Sequence, residues 1–315
     1  MIIHTGARTD TVQYYTPWLL RRFAEGYVLV RNPRFPYLVT RYELTPDKVD
    51  AIVFCSKNYR PILEALPSIT KRFPAQFQYT ITAYGKDIEP GVPSIDESIQ
   101  TLYELERVVG RQRVSWRYDP VLFTAEYTLQ RHLDTFQYMA EKIAGHVDRC
   151  IFSFVEMYKK LRRNMPEIVP LTSADKERAA KALGRIAAKY RLPIQICGTD
   201  DDYSACGIAS AGCLTLSVLE KANGLLFQKM RHSGNRKGCH CIETRDIGAY
   251  DSCPNGCRYC YANQSPTKAQ ENYKHHDPDS PLLLGRLRAT DQVRTARQIS
   301  FLACRPGAVQ QTLDL

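Results

Sequence analysis

The sequence has no long apolar run and no leader-like start. A transmembrane helix needs a run of about 18 apolar residues, and none occurs in the 315 residues, so we expect no membrane partner. The opening residues, Met-Ile-Ile-His-Thr-Gly, lack a basic segment followed by an apolar one, so we expect no signal peptide. No short-period repeat or low-complexity segment interrupts the chain. These absences predict a cytoplasmic protein.

Cysteine, by contrast, is abundant. The chain has 11 cysteines, and without an export signal they favour metal chemistry in a reducing compartment over disulfide bonds. The hydrophobic fraction of 44% is ordinary for a globular protein. The length fits one (β/α) barrel with additions, or two small domains.

The formal net charge is +10, which favours polyanionic partners such as nucleic acid. A solubilising surface explains the charge equally well, and part of it balances anionic thiolate clusters. Two basic runs, 159–163 and 231–237, would form a phosphate-binding rim if both lie at one mouth. Each run is by default a solvated face, because no DNA- or RNA-binding motif accompanies it.

Three cysteines, Cys253, Cys257 and Cys260, stand within eight residues at a C-x3-C-x2-C spacing. A tight loop of soft thiolates selects an iron–sulfur cluster or zinc. Closed metal sites usually take four protein ligands, and this loop supplies three. A [4Fe–4S] cube held by three cysteines keeps one iron open to a further ligand, and Gly256 allows the backbone to turn tightly around the sulfurs.

This loop resembles the signature of the radical SAM enzymes, in which the residue before the last cysteine is aromatic, as Tyr259 is here. The resemblance implies a [4Fe–4S] cluster that binds S-adenosylmethionine and cleaves it reductively to a radical, which abstracts hydrogen from a substrate. It also implies a reductant such as flavodoxin or ferredoxin. A zinc loop, or a cluster used only for electron transfer, is the alternative interpretation.

The position of the loop departs from the usual radical SAM arrangement, since only 55 residues follow Cys260. The whole chain resembles an uncharacterised group of radical-SAM-like proteins with a C-terminal cysteine cluster and, more faintly, the spore photoproduct lyases. We therefore expect an α/β fold, a partial parallel (β/α) barrel of radical SAM type that is circularly permuted. Barrels tolerate permutation because chain ends often lie close together.

Apolar runs followed by helical patterns recur six times in residues 1–199, which predicts parallel βα units. Residues 200–243 lack a clear strand and are predicted to form a cysteine-rich insertion that carries an auxiliary metal site. Residues 244–315 then hold the permuted first strand (244–250), the cluster loop and a tail that is helical over 293–302. We expect one compact domain overall.

Polar residues end the predicted strands, where reactive groups of parallel barrels lie. For each of them a capping or salt-bridge role is at least as plausible as a chemical one. Either Asp10 or Glu156 would hold the ammonium or ribose of the cofactor, and either Arg8 or Arg117 its carboxylate. The candidate catalytic residues are thus Arg8, Asp10, Arg117 and Glu156, and the candidate cofactor contacts are Gly6, Thr9, Ser153 and Tyr259.

A second group of cysteines lies upstream of the loop. The resemblance favours Cys197, Cys213, Cys239 and Cys241 as ligands of a second [4Fe–4S] cluster, with Cys206 as an extra. Zinc is the alternative metal, with His240 as an optional ligand, and unliganded cysteines are a further alternative. Cys55 and Cys150 lie in apolar strands and are expected to be small core residues.

We therefore predict a radical SAM enzyme whose substrate the sequence does not identify. The basic charge and the photoproduct-lyase resemblance favour a nucleic acid or nucleotide, with peptide modification as the next choice. The alternative function is a non-catalytic iron–sulfur or zinc protein that transfers electrons or binds nucleic acid.

Overall fold

A computed structural model describes residues 1–233 and 238–303 of the chain. Its centre is an eight-stranded sheet, and every neighbouring pair of strands in it is parallel. In spatial order the strands are β10 (Arg245–Asp246), β1 (Ile2–His4), β4 (Ala51–Ser56), β5 (Ala75–Thr80), β6 (Val114–Val121), β7 (Arg149–Phe154), β8 (Ile194–Ile196) and β9 (Ala209–Ser210). The predicted α/β class is confirmed, and the sheet is consistent with a partial barrel.

Helices connect the strands, as parallel pairing requires. Amphipathic patterns and caps fix several of them; the helix α4, for example, begins with a capping box formed by Ser94 and Glu97. The helices are α1 (Thr11–Tyr14), α2 (Thr16–Glu25), α3 (Leu66–Arg72), α4 (Ile95–Val109), α5 (Leu129–Ile143), α6 (Lys159–Asn164), α7 (Ser173–Lys189), α8 (Leu216–Asn223) and α9 (Pro266–Lys274).

The two faces of the sheet differ in chemistry. Apolar side chains such as Phe54, Phe77 and Trp116 point to the outer face and form the main core with the helices. Alternation along each strand places polar side chains on the opposite, inner face, including Gln78 and Arg117. The inner face therefore lines a polar interior.

The cysteine-rich stretch packs against this inner face. Ile2 and Val53, from β1 and β4, form a small second core with Leu214 and Ile242 of the stretch. The side-chain amide of Gln78 on β5 donates to the carbonyl of Cys213 at 3.0 Å. Cys213, Leu214 and Ile242 thus lie against the inner face of the sheet.

A separate three-stranded sheet, the accessory sheet, is built from β2 (Tyr27–Arg31), β3 (Leu38–Glu43) and β11 (Gln292–Thr295). β2 and β3 pair antiparallel as a hairpin. The helix predicted over 293–302 is wrong, because Val293 and Thr295 are β-branched and pair with β3 in parallel.

Two further expectations concern single cysteines and the membrane. Cys150 lies in the main core as predicted, whereas Cys55 points to the inner face, is partly exposed and lies outside the core.

No helix in the described part of the chain combines the length and the apolar character that crossing a bilayer requires.

Candidate metal and cofactor site

Six residues separate the three-cysteine loop from β10, and the loop lies beside Asp10 and Lys57, which come after β1 and β4. Side-chain hydrogen bonds fix its backbone. The hydroxyl of Tyr15 donates to the carbonyl of Ser252 at 2.5 Å, and the side-chain amide of Asn263 donates to the carbonyl of Cys253 at 2.7 Å. Gly256 takes a φ of +69°, which a residue with a side chain rarely adopts. The loop is therefore a fixed turn rather than a loose excursion.

The thiols of the loop are only partly exposed. Burial raises the pKa of Cys253 to about 12, although the backbone N–H groups of Asn255 and Asp10 donate to its sulfur. Burial also raises the pKa of Cys257, and the nearby Glu89 carboxylate adds to the shift. A metal that takes thiolates would displace a proton from each thiol that it binds.

A buried ion pair stands beside the loop, and no pattern in the sequence indicates it. The carboxylate of Glu89 is 2% exposed and binds the ammonium of Lys57 at 2.8 Å and the hydroxyl of Thr82 at 2.9 Å. The hydroxyl of Tyr259 also donates to Glu89. Glu89 lies in an irregular loop with no strand end or motif to single it out, while Lys57 ends a predicted strand.

Asp10 holds three segments together. Its carboxylate accepts from the backbone N–H of Gln13 at 3.0 Å, from the hydroxyl of Ser56 at 2.6 Å and from the N–H of Lys57 at 2.8 Å. The amide of Asn255, in the cysteine loop, lies 3.4 Å from it. The protein itself occupies these oxygens, so Asp10 positions the loop rather than offering a free carboxylate to a cofactor.

The other candidates after β1 have separate surroundings. Arg8 lies 3.7 Å from the carboxylate of Asp246, at the end of β10. Gly6 has no room for a side chain, because a Cβ atom there would stand 2.0 Å from the carbonyl oxygen of Cys55. The hydroxyl of Thr9 is buried without a hydrogen-bond partner among the described residues, so it remains available to a polar ligand.

Arg117 and Ser153 belong to a second polar group on the inner face. Arg117 forms an ion pair with Asp119 and donates to the side chain of Gln78 at 2.9 Å. The hydroxyl of Ser153 also donates to Asp119. The neighbouring Asp119 carboxylate and the thiols of Cys55 and Cys213 hold the pKa of Arg117 well above its usual range, against the effect of burial.

The four upstream cysteines come together next to Arg117. The sulfur of Cys213 lies 3.2 Å from that of Cys241 and also accepts from Cys197, and these two bonds lower its pKa. Cys241 in turn contacts Cys239. The four residues selected from the sequence therefore stand in one row of sulfur contacts, and Cys206 packs beside the main core instead.

Glu156 is exposed and lies apart from the three-cysteine loop. It borders a cavity of about 340 Å³ at the ends of β7 and β8, which Cys197, Lys176 and Asp200 also line. The structure thus gathers the candidates into two groups: Gly6, Arg8, Thr9, Asp10 and Tyr259 lie near the loop, whereas Arg117, Ser153 and Glu156 lie on the side of the upstream cysteines.

The donors can be compared with the metals they would hold. As the chain is folded over residues 1–233 and 238–303, no three His, Cys, Asp or Glu side chains surround a point where a single metal ion would fit. A four-iron cube places its thiolates on different irons, so its ligands need not converge on one ion. Thr9 and Asn263 also leave buried oxygens without partners beside the loop. The three thiols and these two oxygens are thus compatible with a cluster that also takes a polar ligand.

Comparison with known proteins places the chain in a family. A search of curated proteins returned no match. The profile of a family described as a domain of unknown function, DUF1848, matches residues 2–262, which covers all eight strands of the main sheet and the three-cysteine loop up to Ala262. The chain therefore belongs to the DUF1848 family.

Proposed function

We propose that this protein is a radical SAM enzyme built on a circularly permuted partial barrel. The supporting observation is the place of the loop: Cys253, Cys257 and Cys260 follow a strand, β10, that pairs in parallel with the first strand of the chain. In spatial order the loop thus comes before β1, although it comes late in the sequence. The C-x3-C-x-Tyr-Cys pattern is the second support.

When bound, a [4Fe–4S] cluster and S-adenosylmethionine supply one-electron cleavage of the sulfonium and hydrogen abstraction. The residues of the chain would hold and orient these groups. Cys253, Cys257 and Cys260 would bind three irons, and Thr9 would offer its free hydroxyl to the cofactor. Tyr259, fixed by Glu89 and by Tyr158, would keep the loop rigid.

The polar inner face would receive the substrate. Arg117, Asp119 and Ser153 form one hydrogen-bonded group there, and the cavity beside Glu156 opens next to it. Cys197, Cys213, Cys239 and Cys241 would hold a second cluster that relays electrons or anchors the substrate, with zinc as the alternative metal. The substrate would be a nucleic acid or nucleotide, in keeping with the basic charge.

A non-catalytic metal protein is the second candidate function. The observation in its favour is that Asp10 and Arg8 already have partners within the protein, so neither is a free charge for a cofactor. Binding of S-adenosylmethionine separates the two, because only the enzyme needs an iron open to it.

Metal analysis and turnover test the proposal together. Anaerobically reconstituted protein should contain about eight iron and eight sulfide per chain, from two four-iron clusters. Dithionite and S-adenosylmethionine should then yield 5′-deoxyadenosine. Four iron and one zinc per chain would mean that the upstream cysteines hold zinc, and the radical SAM proposal would stand. Iron without any 5′-deoxyadenosine would favour the non-catalytic protein.

The electron donor would approach from the outer side of the loop. There a cavity of about 290 Å³ is lined by Cys257, Cys260 and Arg163, which belongs to the basic helix α6. Lys159 and Arg162 on the same helix are exposed. Flavodoxins and ferredoxins are acidic, so this face is electrostatically complementary to them.

Charge reversal at this face should slow reduction by a protein donor. In Arg162→Glu/Arg163→Glu we expect reduction by flavodoxin to fall about tenfold or more at low salt, because electrostatic steering is weakened. Reduction by dithionite, a small molecule, should stay unchanged in stopped-flow traces. Arg185→Glu, which reverses an exposed arginine on helix α7 that does not line this cavity, is the control and should behave as the unaltered protein does. Equally slow reduction in both variants would contradict a donor site on α6.

A further inference from the structure

Positive charge is concentrated on the accessory sheet and the segment beside it. Residues 31–41 and 284–297, here called the arginine surface, contain seven arginines, no lysine and a single acidic residue, Asp291. These 25 residues therefore supply +6 of the formal net charge of +10. The two segments are distinct in sequence from the basic runs 159–163 and 231–237, and residues 234–237 of the second run lie outside the described part of the chain.

The fold brings the two segments together. β11 pairs with β3 so that Val293 stands beside Val39, and the N–H of Gln292 donates to the carbonyl of Tyr37 at 2.7 Å. Asp291 is bound by Arg31 at 2.6 Å, so the surface's own acid is already neutralised. The arginines without an ion pair to another described residue include Arg34, Arg294 and Arg297, all of them exposed.

Two aromatic rings stand among these charges. Phe35 is 51% exposed and Tyr37 48% exposed, at the turn that joins β2 to β3. Their ring centroids lie 6.3 Å apart with the planes inclined at 64°, an edge-to-face arrangement in which the two rings do not stack on each other. Exposed aromatic rings cost free energy in water, and a pair beside guanidinium groups indicates a ligand with flat faces and negative charge.

We propose that the arginine surface binds single-stranded nucleic acid, with bases stacked on Phe35 and Tyr37 and phosphates held by the surrounding arginines. A guanidinium group binds two phosphate oxygens at once and also stacks on bases. Both properties suit a surface whose basic residues are all arginines. Single strands present free base faces to aromatic side chains, whereas a duplex keeps those faces stacked inside. An acidic protein would use the charge but would leave the two rings unexplained.

This binding goes beyond the proposed chemistry and does not depend on it. The surface contains no cysteine and needs no metal, so it should bind nucleic acid whether or not the protein carries a cluster. Failure of the radical SAM proposal would leave the surface intact, and failure of the surface would leave S-adenosylmethionine cleavage untouched.

Fluorescence anisotropy of the full chain with labelled 12-nucleotide dT and rU oligomers tests the proposal, with metal-loaded and metal-free protein side by side. Phe35→Ala and Tyr37→Ala should each raise Kd about tenfold, the usual effect of removing one stacking ring. Arg294→Ala/Arg297→Ala should also weaken binding. It should lower the slope of log Kd against log salt by about 0.7 for each phosphate that the variant no longer neutralises.

Matched controls are available elsewhere in the chain. Tyr138, an exposed ring on α5, and Arg185, an exposed arginine on α7, should be replaceable by alanine without a change in Kd. Thermal unfolding should show that the hairpin variants remain folded, since both rings project into solvent. Equal affinity for a duplex of the same length, or binding that ignores Phe35 and Tyr37, would overturn the proposal. Binding of an acidic protein, without binding of either oligomer, would also overturn the proposal.

Discussion

Cys257→Ala should lose about half of its iron and all cleavage of S-adenosylmethionine while remaining soluble and folded. The change leaves two thiolates in the loop, too few for a cube with one open iron. The upstream cysteines should keep any metal that they hold, because none of them belongs to the loop. The fold should survive because the main core is formed by apolar strand residues and helices. Iron analysis, circular dichroism and detection of 5′-deoxyadenosine measure the three effects.

Two other cysteine variants calibrate this result. Cys239→Ala should lose a similar share of metal but keep some reductive cleavage of S-adenosylmethionine, uncoupled from substrate. Cys206→Ala should lose no metal, since this residue lies outside the row of sulfur contacts. Production of 5′-deoxyadenosine by Cys257→Ala would refute the radical SAM assignment.

Glu89→Gln should cost about 3 kcal/mol or more in the free energy of unfolding. The substitution keeps the shape of the side chain but removes the charge that pairs with Lys57, whose side chain is 13% exposed and would stay buried without a counter-ion. Thr82 and Tyr259 would also exchange a charged acceptor for a weaker neutral one. Urea unfolding of the anaerobically purified protein measures the loss of stability.

Two variants separate the burial of an unpaired charge from the simple removal of an ion pair. Glu126→Gln removes the partner of Arg131 in a pair that is largely exposed, and should cost about 1 kcal/mol or less. The double variant Lys57→Met/Glu89→Leu removes both buried charges and should recover much of the stability that Glu89→Gln forfeits. A destabilisation in Glu89→Gln no larger than that in Glu126→Gln would show that Lys57 finds water or another partner.

The parallel sheet was predictable because its strands obey a strong rule. Runs such as 51–55 are short and continuously apolar because the main core buries one face and the second core the other. Helices follow these runs at intervals, a pattern that is typical of repeated βα units. A strand ahead of the cysteine loop was also predicted, over 244–250, and the structure has the shorter β10 there. The helix prediction at β11 is wrong because the pattern there is weak and the pairing with β3 is distant in sequence.

The candidate site was only partly predictable. The cysteines are visible because their spacing is local or their residue type is rare. Glu89 was missed because its role arises from contacts with Lys57 and Tyr259, which lie 32 and 170 residues away. Asp10 was found, but a strand-end position does not show that Ser56, Lys57 and Gln13 already use its oxygens. The role of a buried polar side chain thus depends on partners far away in the sequence, which local sequence patterns do not reveal.

The pairing of β1 with β10 has a consequence for synthesis on the ribosome. β1 is synthesised before the strand on its free edge and the residues that cover its inner face, which follow more than 200 residues later. At about 5–20 residues per second, the edge of β1 would stay unpaired for roughly 10–50 s. The nascent chain therefore needs protection against misassembly during that interval. Any metal at Cys253, Cys257 and Cys260 must be delivered to a barrel that is already largely translated.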